Sequence, residues 1–114
     1  AFANMVRFIG LCHEAGAKVV VGSHTSAPFA AKGRAYQREL ELLVEAGLTP
    51  LEAITAGTSH NAGFFGGEGR LGALAAGMTA DLILIKGDPS RDIGAMENVA
   101  RVMLNGVWTG EGRE

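Results

Sequence analysis

The sequence predicts an α/β chain, and three observations carry that expectation. Lys18-Val19-Val20-Val21-Gly22 is a β-branched, apolar run without alternation, which suits a strand buried on both faces. Apolar residues at helical spacing flank it on both sides, and each group stops at a glycine. Further on, Ala80-Asp81-Leu82-Ile83-Leu84-Ile85 reads as a strand, and Met103-Leu104-Asn105-Gly106-Val107-Trp108 reads as a hairpin whose Asn-Gly pair suits a type I′ turn.

In chain order, Phe2, Val6, Ile9 and Leu11-Cys12, with Met5 and Phe8 beside them, predict a largely buried helix over 2–15 that closes at Gly16. No Ser, Thr, Asp or Asn precedes it as an N-cap, so the chain is expected to be cut from something longer. The strand at 18–22 follows, and then a loop over 25–36 containing Pro28 and Gly33. From Gln37, Leu40, Leu43, Val44 and Leu48 mark one helical face, with Glu39, Glu41 and Glu45 mostly on the other, and Gly47 ends the helix. Thr49-Pro50-Leu51-Glu52 then reads as an N-cap, a first-turn proline and the return partner of a capping box, opening a helix that runs to Phe64-Phe65. Gly66-Gly67 terminates it. Leu71 to Leu74 is read as short and extended, Ala76-Gly77-Met78 as a turn, and Gly87-Asp88-Pro89 as the break after the strand at 80–85.

The chain has 114 residues, 47% hydrophobic and 19% charged, with a net charge of −2, which is enough for one globular core. It carries no basic stripe of the kind nucleic acid demands. No apolar run approaches the roughly 20 residues of a membrane span, and Ala1 to Leu11 lacks a signal-peptide pattern. One cysteine, Cys12, excludes an internal disulfide and suits a reducing, cytoplasmic setting, where it is read as a small hydrophobe. The 17 glycines imply many tight turns between short elements.

The polar residues that follow the valine strand are the first site candidates. Ser23, His24 and Thr25 stand where α/β enzymes place reactive groups, at the carboxyl end of a buried strand. The same run would also serve as an ordinary βα loop with a hydrogen-bonded histidine. Arg34, Tyr36 and Arg38 could contact a substrate carboxylate, or could be solvated surface groups.

Three passages then point to a family. Glu39 to Ile54 (ELELLVEAGLTPLEAI) with Thr58 and Asn61-Ala62 is the first. Gly72-Ala73-Leu74-Ala75-Ala76-Gly77-Met78-Thr79-Ala80-Asp81-Leu82 is the second, and it resembles the signature G-x-L-x-x-G-x-x-A-D-L. Gly87-Asp88-Pro89 with Val102 to Trp108 is the third. Together they resemble the carboxyl-terminal part of a metal-dependent amidohydrolase, nearest the imidazolonepropionase, prolidase-like and cytosine-deaminase-like branches. The resemblance implies the last βα portion of a (β/α)₈ TIM barrel, helix–strand–helices, over residues 1–67. It implies strands of a composite β-sandwich over 68–114. It also implies hydrolysis of a C–N bond in an amide, cyclic amide or dipeptide-like small molecule through a water activated by a divalent metal, often zinc.

On that resemblance the eighth barrel strand would end in Gly-Thr-Asp, the aspartate binding metal and moving the proton. This chain has Gly22-Ser23-His24, so His24 is the expected metal ligand and catalytic group, with Ser23, Thr25, Arg34 and Tyr36 as substrate contacts. His60 and His13 are read as structural and Asp81 as a turn residue. Three histidines without a His-x-His pair cannot plausibly supply about three zinc ligands, and most of a barrel of about 250 residues is absent. The isolated chain is therefore expected to be inactive and to associate, with itself or with the missing barrel. The alternative is a non-catalytic, self-associating structural module derived from an amidohydrolase.

Overall fold

The computed structural model describes residues 1–22 and 33–110. Helices come first: α1 (Phe2–Glu14), α2 (Arg34–Glu45), then α3 (Pro50–Thr55), which runs through a π turn at Ala56–His60 into α4 (Asn61–Phe64). A three-stranded antiparallel sheet follows, with β1 (Leu82–Ile85), a 3₁₀ helix (Ile93–Glu97), β2 (Val99–Leu104) and β3 (Val107–Trp108) in the order β1-β2-β3. No helix among the described residues is long and apolar enough to cross a membrane.

The carboxyl ends of the helices, and the start of α3, are those the sequence marks. Gly47 sits at φ +115, a conformation open to glycine, so its N–H reaches the Val44 carbonyl at 3.0 Å and that of Leu48 reaches Leu43 at 3.1 Å. The returning chain drops Leu48 into the core. The same bond pair closes α1 at Gly16 and α4 at Gly66. At α3 the capping box is complete: Thr49 Oγ1 accepts from Glu52 N–H at 3.2 Å, and Glu52 Oε2 accepts from Thr49 N–H at 2.7 Å.

The core is small. Val21, Leu40, Leu43, Leu48, Ala53, Ala56 and Ile93 are buried, with Leu40 fully enclosed. Ile93 comes from the 3₁₀ helix, which docks on α2; Gln37 Nε2 donates to the Met96 carbonyl at 3.2 Å beside it. Helix α1 meets α2 through Gly10, where a Cβ atom would lie 2.2 Å from the Ala46 carbonyl oxygen.

In the sheet, Leu82 stands opposite Met103 and Leu84 opposite Arg101, with a bulge between Leu84 and Ile85. Asn105 (φ +50) and Gly106 (φ +81) make the expected hairpin turn. Ala80-Asp81 anchors it from the side. Asp81 Oδ1 accepts from Asn105 N–H at 2.6 Å, and the Ala80 carbonyl accepts from Gly106 N–H at 3.0 Å.

Four expectations need correction. The run 18–22 is extended but is not a strand: a ladder needs a neighbouring strand, and none pairs with it among the described residues. It is also covered on one side only, with Val21 buried and Val20 exposed. Helix α1 is not largely buried; Phe2, Met5, Phe8 and Leu11 are each more than half exposed, because among the described residues it packs mainly against α2, with His13 reaching Glu52 of α3. The expected loop 25–36 lies outside the described residues up to 32, and α2 already opens at Arg34, so Arg34 and Tyr36 are helical. Residues 71–73 form a bend rather than an extended piece, because Gly72 turns there against the π turn; its Cβ would lie 2.7 Å from Ala62 Cβ and 2.8 Å from the Thr58 carbonyl.

Three outcomes follow from these contacts. Gly10→Val should wedge α1 off α2 and cost about 1–3 kcal/mol, read as a lower urea midpoint, while Thr49→Ala should cost about 1 kcal/mol. Glu52 is held below the usual carboxylate range by the Thr49 backbone N–H first, with the Thr49 side chain and His13 adding to it. A carboxyl depressed on folding stabilises the chain above its unfolded-state pKa and loses that contribution as pH falls through the folded value. Acid titration of stability should therefore be shallower in Glu52→Gln.

Candidate functional site

The extended run Lys18–Gly22 leads to the residues the sequence singles out, and among the described residues side chains hold its backbone. Asn61, first residue of α4, takes both backbone groups of Val21: its Oδ1 accepts from Val21 N–H at 2.8 Å and its Nδ2 donates to the Val21 carbonyl at 3.0 Å. His60, last residue of the π turn, places Nδ1 3.1 Å from the Val19 carbonyl, a geometry that calls for a proton on that nitrogen. Glu39 on α2 accepts from Gly22 N–H through Oε1 at 2.9 Å. Both helices that flank the run thus contribute a polar side chain to its backbone.

The π turn itself is braced. The Tyr36 hydroxyl donates to the Gly57 carbonyl at 3.2 Å, and a Cβ on Gly57 would lie 2.4 Å from that hydroxyl. Burial, helped by the Glu39 carboxylate, raises the Tyr36 pKa above the ordinary phenol value, so the hydroxyl stays a donor. Thr58 Oγ1 donates to the Ile54 carbonyl at 2.7 Å across the turn.

Of the residues the sequence singles out, Ser23, His24 and Thr25 lie outside the described residues. Arg34 is on the first turn of α2, paired with Glu97 at 2.6 Å, its side chain 64% exposed. Arg38 pairs with Glu41 and Glu45 on its own helix at 3.0 and 2.9 Å. Tyr36 faces the π turn. Arg34 and Tyr36 are therefore engaged with different partners. His13 and His60 both line a cleft of about 220 Å³ with Val19, Leu48, Glu52 and Thr55, and His13 Nε2 lies 3.3 Å from Glu52 Oε2. Among the described residues no three His, Cys, Asp or Glu side chains converge to hold a metal ion, so these residues do not by themselves fit a metal centre.

Sequence reasoning passed over Glu39 and Asn61. Glu39 shares its helix with Glu41 and Glu45 and carries no local mark that distinguishes it. Asn61 had one signal: an amide within an otherwise small and apolar helix end needs a partner when it faces the interior.

The match to known proteins covers almost the whole chain. The amidohydrolase family model matches residues 3–109. Among solved structures, a Xaa-Pro dipeptidase with bound methionine in its active site is similar at 32% identity and TM-score 0.82, over 90% of this chain and 25% of that one. A proposed prolidase from Bifidobacterium longum is similar at 37% identity and TM-score 0.86, over 93% of this chain and 26% of that one. Molinate hydrolase is similar at 26% identity and TM-score 0.74, over 96% of this chain and 26% of that one. The chain thus spans about a quarter of the length of these structures. No curated protein sequence matches it significantly. With helices, turns and sheet all inside one family match, this chain belongs to the amidohydrolase family.

Proposed function

We propose that this chain is the carboxyl-terminal part of a metal-dependent amidohydrolase that hydrolyses the C–N bond of an amide, with a dipeptide-like small molecule as the substrate class. The observation that carries this reading is the likeness, above 30% identity and at TM-scores of 0.82 and 0.86, to a Xaa-Pro dipeptidase and a proposed prolidase. Residues 1–67 are read as the last part of the barrel and 68–114 as a share of the small β-sandwich. Cys12, free and half-buried, suits a reducing, cytoplasmic setting.

In this reading His24 contributes a metal ligand where the family carries an acid, and Ser23 and Thr25 flank it. Arg34 and Tyr36, on the first turn of α2, are the proposed substrate contacts. A divalent metal such as zinc, when bound, lowers the pKa of its water to about 7. What this chain does is hold the backbone that leads to His24, through Asn61, His60 and Glu39. The remaining ligands must come from outside the described residues, so the isolated chain is read as inactive.

A second reading, a self-associating module without catalysis, draws on the exposed apolar side chains. Phe2, Met5 and Phe8 stand out on α1, and Phe64 and Phe65, 71% and 78% exposed, at the end of α4.

The reading frame upstream of Ala1 tests the first against the second. A His-x-His pair encoded in frame, and amide hydrolysis by the extended protein that falls on the order of 10²–10⁴-fold in His24→Ala, is the expected result; metal content by plasma mass spectrometry should fall with it. Unchanged hydrolysis in His24→Ala would remove His24 from the site. Sedimentation of the 114-residue chain should give a dimer or larger species, and a stable, cooperatively folding monomer would count against association.

A further inference from the structure

We propose that Asn61 is a positioning residue: its side-chain amide clamps both backbone groups of Val21 and sets where the backbone is when it reaches Gly22. The proposal rests on the reading above, in which the residues directly after Gly22 carry the chemistry.

A residue in an antiparallel ladder exchanges two bonds with its partner, one from its N–H and one to its C=O. Val21, 6% exposed, has that pair of bonds with a single side chain, at 2.8 and 3.0 Å. Asparagine and glutamine carry a planar acceptor and donor side by side, as a peptide group does; an ionised carboxylate accepts only. The amide is also aimed. Asn61 follows the π turn at 56–60, whose extra residue rotates everything after it by roughly 100° relative to an uninterrupted helix. That turn is fixed on both sides: Gly57 lies under the Tyr36 hydroxyl, and Gly72 lies against Thr58, Ser59 and Ala62. His60 then meets Val19 and Asn61 meets Val21, so the register of the run is set at two alternate residues. Glu39 takes the next N–H, at Gly22.

Asn61→Asp separates this role from space filling. The protonated carboxyl can reproduce both bonds, its carbonyl accepting from Val21 N–H and its hydroxyl donating to the Val21 carbonyl. The ionised form sets an oxygen against that carbonyl. Hydrogen-exchange protection of the Val21 amide, measured by NMR on the 114-residue chain between pH 3.5 and 7.5, should match wild type in acid and fall at least tenfold as the introduced carboxyl ionises. His60 and Glu39, which bond to the run, and Lys18 within it are common to both proteins, so the wild-type profile subtracts them. Protection in Asn61→Asp equal to wild type at every pH overturns the proposal. Should that variant not fold, the wild-type chain decides: slow exchange of one Asn61 Nδ2 proton supports the clamp, and free exchange overturns it. A pH switch at Val21 with unchanged hydrolysis in His24→Ala would leave the clamp standing and remove the functional reading. Loss of hydrolysis in His24→Ala without the switch would remove the clamp alone.

Discussion

An extended run of backbone cannot be buried with its N–H and C=O groups unpaired, because each orphaned group forfeits the bonds it made to water. Val21, the buried residue of the extended run, meets that constraint through a side chain, and Val19 and Gly22 each have one backbone group paired in the same way. The Asn61 amide takes both backbone groups of Val21, the His60 ring the Val19 carbonyl and the Glu39 carboxylate the Gly22 N–H. The other parts of the amino-terminal half are arranged to bring those three groups to the run. Helix α2 carries Glu39 and the core residues Leu40 and Leu43; α3 and the π turn carry Ala53 and Ala56 inward and deliver His60 and Asn61 at the far end.

Close approach makes this possible. Gly10, Gly57 and Gly72 each occupy a place where a Cβ would overlap a neighbour, at α1 on α2, at Tyr36 on the π turn, and at the bend on α4. The glycine of the family signature at position 72 thus has a mechanical reason. Without a side chain there, residues 71–73 can fold back on the π turn that aims Asn61. The later half of the signature, Ala80-Asp81, serves a separate purpose, tying the Asn105-Gly106 turn to the start of β1. One short stretch of sequence therefore links the helical half, where the candidate site lies, to the sheet.

The apolar surface left over is large for so small a core. Helix α1 shows Phe2, Met5, Phe8 and Leu11, the end of α4 shows Phe64 and Phe65 packed edge to face, and Leu74 stands out just after the bend. The helix read from its sequence as buried is apolar on more sides than this chain covers. Such faces are what the association proposed above would cover, and the chain spans only about a quarter of the related structures.

Local chemistry was legible before any coordinates. The capping box at Thr49 and Glu52, the helix stops at Gly16, Gly47 and Gly66, and the hairpin turn at Asn105-Gly106 depend on bonds within a few residues, so composition and spacing suffice to specify them. The family was legible for the same reason, since its signature is a series of such local devices. What the sequence could not decide was whether Lys18–Gly22 would find strands beside it, or how much of α1 would be covered. Burial and pairing belong to neighbours far away in the chain or beyond it, and β-branched residues only make a run fit to be paired. Nor could it distinguish Glu39 from Glu41, or reveal that Asn61 would take both backbone groups of Val21, 40 residues away. That role exists only once the π turn has rotated the helix end and Tyr36 and Gly72 have locked it, which is a property of packing.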